Sequence, residues 1–353
     1  MARLLEPTEA IRAHLARWET PYPDLAVFGS ADPDRIAEQV DSFCTVNLGS
    51  RIAGYVFCTA SQGVTHGIEL TNGERVLLKI HQPQELNPER HSGRAALISV
   101  HRALEHLHRQ GFPCPRPLLG PTPLGLGLAT VQTLLETGER GDGFRPACRR
   151  AIVSGLIEGI EGLAPIRNEL TGLQFFFQPA DRLYPTPHSQ LFDFAATAST
   201  AGWIDAIAQR ARAASVHTGE AVVGHADWRI EHLRFENDRV SASYDWESIS
   251  PMAETQLVGL TASHFTTDWT SYAPGRVPTV EAVEAFVADY ESLRGMSFSR
   301  AEHTAIRAMA TYATAYGSRC QHALAPETRE GEWPEDSWPG LLRALAGTFL
   351  DAD

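Results

Sequence analysis

Two aspartates eighteen residues apart, Asp227 and Asp245, bracket the part of the chain best equipped for chemistry. Val222 to Glu247 reads VVGHADWRIEHLRFENDRVSASYDWE. His225, Asp227 and His232 fall on a loop. A short hairpin follows, Leu233 to Phe235 and Arg239 to Tyr244 around a turn at Glu236-Asn237-Asp238, and Asp245 stands at the end of its second strand. Acids placed at the two ends of a loop and hairpin can converge on one cleft, the hairpin fixing their separation. Lys79 is the other informative residue: of 30 basic side chains it is the one lysine, the remainder being arginine. Where arginine does the general surface work, a surviving lysine reads as a required compact ammonium, with chance survival as the alternative. Lys79 lies in Glu74–Ile80 (ERVLLKI), just after the hairpin signal Asn72-Gly73. This is the third of three successive antiparallel strands; a small, polar, glycine-containing stretch, Thr59 to His66, precedes it. A sheet lysine, such a turn and two acids are what phosphoryl transfer requires. Backbone amides and an ammonium hold phosphates, one carboxylate holds magnesium, and a second accepts the proton of the acceptor hydroxyl.

In their order and spacing these residues resemble the aminoglycoside phosphotransferase and choline kinase group of protein-kinase-like enzymes. Their catalytic loop, H-G-D-x-x-x-x-N, is followed at the same spacing by a second, metal-binding Asp. Here the loop is His225-Ala226-Asp227-Trp228-Arg229-Ile230-Glu231-His232 and the second acid stands in Tyr244-Asp245-Trp246-Glu247. Val76 to Ile80 matches the phosphate-lysine strand, and a helix leading into Gly111-Phe112-Pro113-Cys114-Pro115 matches the family's G-x-P-x-P stretch. The resemblance spans roughly residues 50 to 325. Three departures stand out: Ala226 replaces the loop glycine, His232 replaces the metal-binding Asn, and Val100 and His101 fall where the lysine's helix glutamate is expected. Glu105 and Glu89 are the nearby substitutes.

The resemblance implies an α+β, protein-kinase-like fold of two lobes, a small N-terminal antiparallel-sheet lobe and a larger, mainly helical C-terminal lobe. It makes Asp227 the catalytic base, whose rival reading is a loop Asp capping a turn. Asp245 would hold Mg²⁺ with His232, the latter as ligand or as a loop hydrogen-bonder. His225 would hold the loop in shape. Lys79 and the turn Ser61-Gln62-Gly63 would bind the phosphates of ATP or GTP, a plain hairpin loop being the alternative for the turn. Gln132 and Leu134 would carry the groups that hold the nucleotide base. Arg229, Trp246, Glu247, Glu254, Asp268 and Trp269 are candidates for the acceptor pocket, against a surface ion pair for the arginine and core packing for the tryptophans.

The elements around these residues suggest three parts: a helical extension at 1–48 with two helices about a Pro-rich stretch, a nucleotide-phosphate lobe at 49–136, and a helical lobe at 137–353 with catalytic loop, metal site and acceptor pocket. A glycine-rich, charged linker, Thr137 to Gly143, divides the last two. Helical patterns run over 88–110, 145–163, 202–215, 279–294, 300–323 and 339–350, and a strand over 127–135. The chain has 353 residues and a net charge of −13, which disfavours nucleic acid and anionic membranes as partners. The excess is concentrated from Asp245 onward, where 16 acids face seven arginines, an environment suited to a cationic or polyhydroxylated ligand. No apolar run reaches the ~18 residues of a membrane span, and the N-terminus reads as an amphipathic helix, pointing to the cytoplasm. The five cysteines are scattered, with no CxxC pair, and read as buried small hydrophobes. Nothing in the pattern indicates an oligomeric state.

The expected function is therefore an ATP- or GTP-dependent kinase for a hydroxyl of a small molecule. An antibiotic is favoured, an aminoglycoside or a sugar-nucleoside such as capuramycin, so that the activity would confer resistance. The alternatives are a kinase of amino sugars or other metabolites, or a catalytically weak kinase-like binding protein. A metal-dependent hydrolase built on His225, Asp227 and His232 would leave Lys79 and the aspartate spacing unexplained.

Overall fold

The structure, a computed structural model, describes residues 4–61, 63–86, 91, 93–187, 189, 191–215, 221–268 and 276–350. Gln62, Glu89 and Trp269, singled out above, lie outside the described residues. The chain forms two compact units, the first from residues 1–109, 114–136 and 169–173, the second from 110–113, 137–168 and 174–353.

In the first unit, three helices precede the sheet: α1 (Pro7–Leu15), α2 (Tyr22–Phe28) and α3 (Pro33–Leu48). The Pro-rich stretch taken as a separator contains α2, because Pro23 sits in that helix's first turn, where its missing N–H costs no hydrogen bond. Gly29 and Gly49 end α2 and α3 in the left-handed region. The sheet comprises β1 (Ile52–Ala60), β2 (Gly63–Leu70), β3 (Arg75–His81), β4 (Pro117–Leu124) and β5 (Gly127–Thr133), with α4 (Arg94–Arg109) between β3 and β4. Its order is β1-β2-β3-β5-β4, antiparallel throughout. Val27, Ile36, Val40 and Phe43 of the helices share one core with Tyr55, Ile68, Leu78 and Val131 of the sheet. Ahead of α1, Leu5 exchanges both backbone hydrogen bonds with Tyr55, at 2.9 Å each.

Two differences from the sequence reading concern the sheet. The stretch from Thr59 to His66 is mostly paired strand, with β1 ending at Ala60 and β2 starting at Gly63. Gly63 is needed there because a Cβ would stand 2.4 Å from the Ile80 carbonyl oxygen of β3. β4 was not anticipated, the sequence reading having placed no element there; an edge strand tolerates its three prolines because its outer N–H groups pair with nothing in the sheet.

The second unit holds α5 (Pro146–Leu163), α6 (Gly202–Ala214), β6 (Ala221–His225), β7 (Leu233–Glu236), β8 (Arg239–Ser243), β9 (Ile249–Ala253), α7 (Glu254–His264), α8 (Val280–Arg294), α9 (Arg300–Leu324) and α10 (Trp338–Leu345). β6 pairs with β9 and β7 with β8, both antiparallel. The expected hairpin turn is present, with Asn237 and Asp238 both at positive φ, a conformation these two residue types accept. α7 was missed for a physical reason. It is buried on all sides, from Leu257 and Leu260 to Thr261 and Ser263, so it lacks the polar face that marks an amphipathic helix. All five cysteines are buried and unbridged, and burial raises the thiol of Cys44 to about 12. No helix among the described residues is long and apolar enough to cross a membrane.

Candidate active site

β6 delivers the catalytic-loop sequence at the end of a two-stranded ladder, His225 standing opposite Ile249. The approach is close: a Cβ on Gly224 would stand 2.2 Å from Leu257 of α7. Beyond β6 the loop is stitched to the segment that carries Asp245. The Ala226 N–H donates to the Ser248 carbonyl and the Tyr244 N–H to the His232 carbonyl, both at 2.9 Å. The Ile230 N–H donates to the carbonyl of Phe265, just past α7.

His225 ties the two stretches together with both ring nitrogens. Its Nδ1 accepts from the Asp227 N–H at 3.2 Å, so Nε2 carries the proton and donates to the Tyr244 carbonyl at 2.9 Å. Burial, with His232 nearby, pushes this imidazole down to about 4. With neither nitrogen available as a ligand, the metal-hydrolase set of His225, Asp227 and His232 does not form. Trp228 is 1% exposed and donates its indole N–H to the Ile152 carbonyl of α5, at 2.8 Å.

Asp227, His232 and Asp245 each present one ligand atom within 4.8 Å of the others. At metal–oxygen distances of ~2.1 Å, two ligands of one small divalent ion stand at most ~4.2 Å apart, so this donor set fits such an ion after slight contraction. Sequence reasoning assigned the metal to Asp245 and His232; the structure adds Asp227 to the group. Asp245 occupies the left-handed region (φ 62, ψ 43), an uncommon conformation for a non-glycine residue.

Three cationic or potentially cationic groups surround Asp227. Arg229 NH1 donates to Oδ1 of Asp227, while its Nε and NH2 engage Glu231 at 3.0 and 2.9 Å. His232 Nδ1 lies 3.6 Å from Asp227 Oδ2, and His264 Nε2, at the end of α7, 3.6 Å from Oδ1. Burial works to raise the Asp227 carboxyl, but Arg229, His232 and His264 together hold it well below the usual carboxylate range. His264 was missed by sequence reasoning, and no local pattern marks it: helix packing alone brings it to the loop. Its Nε2 is buried without a hydrogen-bond partner, and burial lowers the ring to about 4.

The other candidates are spread more widely. Trp246 is 2% exposed, edge-on to Phe112 and His225, with its N–H directed to Ser243 Oγ at 3.2 Å. It is a wall of the loop's core. Glu254 follows β9 at the end away from His225, and both its oxygens are engaged, by Tyr290 at 2.6 Å and Arg294 at 2.8 Å. Asp268 pairs with Arg140 at 2.7 Å, a few residues past His264. Glu247 follows Trp246 in a short 3-10 turn, half-buried.

In the first unit, Lys79 sits in the middle of β3 between Thr65 of β2 and Thr130 of β5. Ser61 lies exposed in the β1–β2 turn and donates its N–H to the Gly63 carbonyl. Gln132 is buried on β5 opposite Leu77, and Leu134 follows that strand with its N–H donated to the Arg75 carbonyl. Glu105 faces Arg109 on the exposed side of α4, at 3.7 Å.

The buried imidazoles have a measurable consequence. His66, fully buried against Tyr55 and stacked on Phe28, is pushed down to about 3 by burial, with His14 nearby. In the unfolded chain His66 and His225 take up protons near pH ~6.5, whereas folded they stay neutral to about 3 and 4. The unfolded state therefore binds more protons below ~6.5, and stability falls as pH drops towards 4 while these two groups leave it level above ~7. Unfolding free energies from urea titrations at pH 7.5 and 4.5 should differ by on the order of a few kcal/mol, with the lower midpoint at pH 4.5. Equal midpoints would show that the two rings are not held neutral.

No protein-family profile and no curated protein matches the chain in sequence. Solved structures do match in fold. Spectinomycin phosphotransferase APH(9)-Ia, in complex with ADP and spectinomycin, has a TM-score of 0.57 over 87% of this chain and 98% of its own, at 11% identity. Amicoumacin kinase hAmiN, in complex with AMP-PNP, Ca²⁺ and Ami, reaches 0.52 over 90% and 96%, at 8% identity. A thermostable mutant of aminoglycoside phosphotransferase APH(4)-Ia reaches 0.51 over 87% and 98%, at 13% identity. The five-stranded antiparallel lobe and the helical lobe that follows it are the fold of the aminoglycoside-phosphotransferase-like kinases.

Proposed function

We propose that the protein transfers the γ-phosphoryl group of ATP or GTP to a hydroxyl of a small-molecule antibiotic. The observation that carries this reading is the convergence of Asp227, His232 and Asp245 on a fold shared with antibiotic phosphotransferases. Asp227 orients the acceptor hydroxyl and accepts its proton. Asp245 and His232 hold the divalent ion, which when bound neutralises phosphate charge and fixes the phosphates' position. Lys79 holds the nucleotide phosphates, Ser61 and Gly63 cover them, and Gln132 and Leu134 face the base. His225 and Trp228 keep the loop in place. Transfer also requires Asp227 to exchange its pairing with Arg229 for the substrate hydroxyl, and Glu231 retains the guanidinium when it does.

The acidic excess from Asp245 onward suits an acceptor that is cationic or rich in hydroxyls, such as an aminoglycoside or a sugar-nucleoside. The Arg229–Asp227 pair is the one observation favouring a second reading, a binding protein that holds nucleotide without transferring phosphate. A mass-spectrometric screen separates the two. It would offer ATP or GTP with Mg²⁺ or Mn²⁺ to aminoglycosides, sugar-nucleoside antibiotics, amino sugars and choline, with Asp227→Ala as control. One acceptor class gaining the mass of a single HPO₃ unit, in the wild type alone, is the expected result. Bound nucleotide with no product from any class would favour the binding protein.

A further inference from the structure

Taking the three-donor group as the metal seat of that proposed reaction, we infer that its ion is bound through a ring nitrogen of His232 and that the site therefore favours manganese-type ions over magnesium.

The hydrogen bonds of His232 establish which nitrogen is available. Nδ1 lies 2.9 Å from the main-chain carbonyl oxygen of Asp227, which can only accept, so Nδ1 carries the proton. Nε2 faces NH2 of Arg229 at 3.3 Å, and a guanidinium can only donate, so Nε2 presents a lone pair. The orientation of the ring is thus set by a backbone carbonyl, with Nε2 as the nitrogen that can face an ion. Metal-binding histidines are normally prepared in just this manner, one N–H given to a carbonyl or carboxylate while the other nitrogen faces the ion.

A cation already rests against the same atoms. Arg229 donates to Asp227 and to the His232 lone pair, and it is anchored from the far side by Glu231. A divalent ion entering between Asp227, His232 and Asp245 displaces the first two of these contacts, and the third keeps the guanidinium paired.

The donor set then decides among ions. Mg²⁺ demands oxygen ligands in a tight octahedron and is poorly served by an imidazole, whereas Mn²⁺ accepts carboxylate, phosphate and imidazole together and stays compatible with phosphoryl transfer.

The test reads the metal–nitrogen bond directly and needs no turnover. Full-length protein is loaded with Mn²⁺ and AMP-PNP, and electron spin-echo modulation is recorded on natural-abundance protein and on protein carrying ¹⁵N-histidine. A ¹⁴N modulation that changes to the ¹⁵N pattern on labelling is expected, and no variant has to fold for this comparison. In His232→Asn the modulation should vanish, and the Mg²⁺ concentration that displaces half the Mn²⁺ should fall by ~tenfold or more. Mn²⁺ bound with the nucleotide but showing no histidine nitrogen would overturn the inference and leave the phosphotransfer reading standing. Failure to bind Mn²⁺ with AMP-PNP at all would overturn both.

Discussion

Asp227→Asn should cut phosphoryl transfer by ~10²–10⁴ while nucleotide binding changes little, since a general base of this kind contributes about that much to rate. The amide keeps the side chain's shape and one oxygen near the metal group, but it cannot take the hydroxyl proton. The expectation rests on placement. Asp227 lies between Arg229, His232 and His264, which keep its carboxylate ionised far below neutral pH. So strongly stabilised an anion is a weak base, and in the proposed reaction its part would be chiefly to orient the hydroxyl and to receive the proton as the O–P bond forms. Product formation under single-turnover conditions and nucleotide titration calorimetry would be measured side by side. Turnover equal to the wild type would remove Asp227 from the mechanism, and loss of nucleotide binding in step with turnover would make it chiefly a metal ligand.

The second large effect is on stability. Trp228→Ala should destabilise the second unit by ~3–5 kcal/mol, the usual range for deleting a buried tryptophan. The ring touches Phe112, His225 and Trp246, and its N–H reaches the Ile152 carbonyl. Gly155 on α5 leaves room for it: a Cβ there would stand 2.9 Å from the indole. The cavity would open directly beneath Asp227, so turnover should fall along with the denaturation midpoint. Trp228→Phe restores most of the volume without the N–H donor and should lose only ~1–3 kcal/mol. An unfolding free energy for Trp228→Ala within ~1 kcal/mol of the wild type would mean that the aromatic cluster does not hold the loop.

The contrast between these residues and the missed ones shows where sequence reasoning works. The loop from His225 to His232, its hairpin and Asp245 were legible because they are contiguous, and Asn237-Asp238 announces its own turn. Lys79 was legible through composition and strand pattern. β4 was hidden because proline argues against a strand until its place at the sheet's edge is known. α7 was hidden because burial on every side erases helical periodicity. His264 reaches Asp227 from that unforeseen helix, so its role could not be read at all. Trp246 and Glu254 were singled out for their nearness in sequence to Asp245, which says little about where a side chain points. Trp246 in fact turns into the core, and the straight run of β9 carries Glu254 away.

The two ends of the five-stranded sheet carry a consequence for self-association. An uncovered edge strand is a template on which another copy can add its own strand, and crowded expression makes such pairing a route to aggregates. At the β1 edge, Leu5 already consumes the N–H and C=O of Tyr55. At the other edge, β4 carries Pro117, Pro121 and Pro123, and a proline offers no N–H to a newcomer. Both margins of the sheet thus carry a feature that discourages the addition of a further strand.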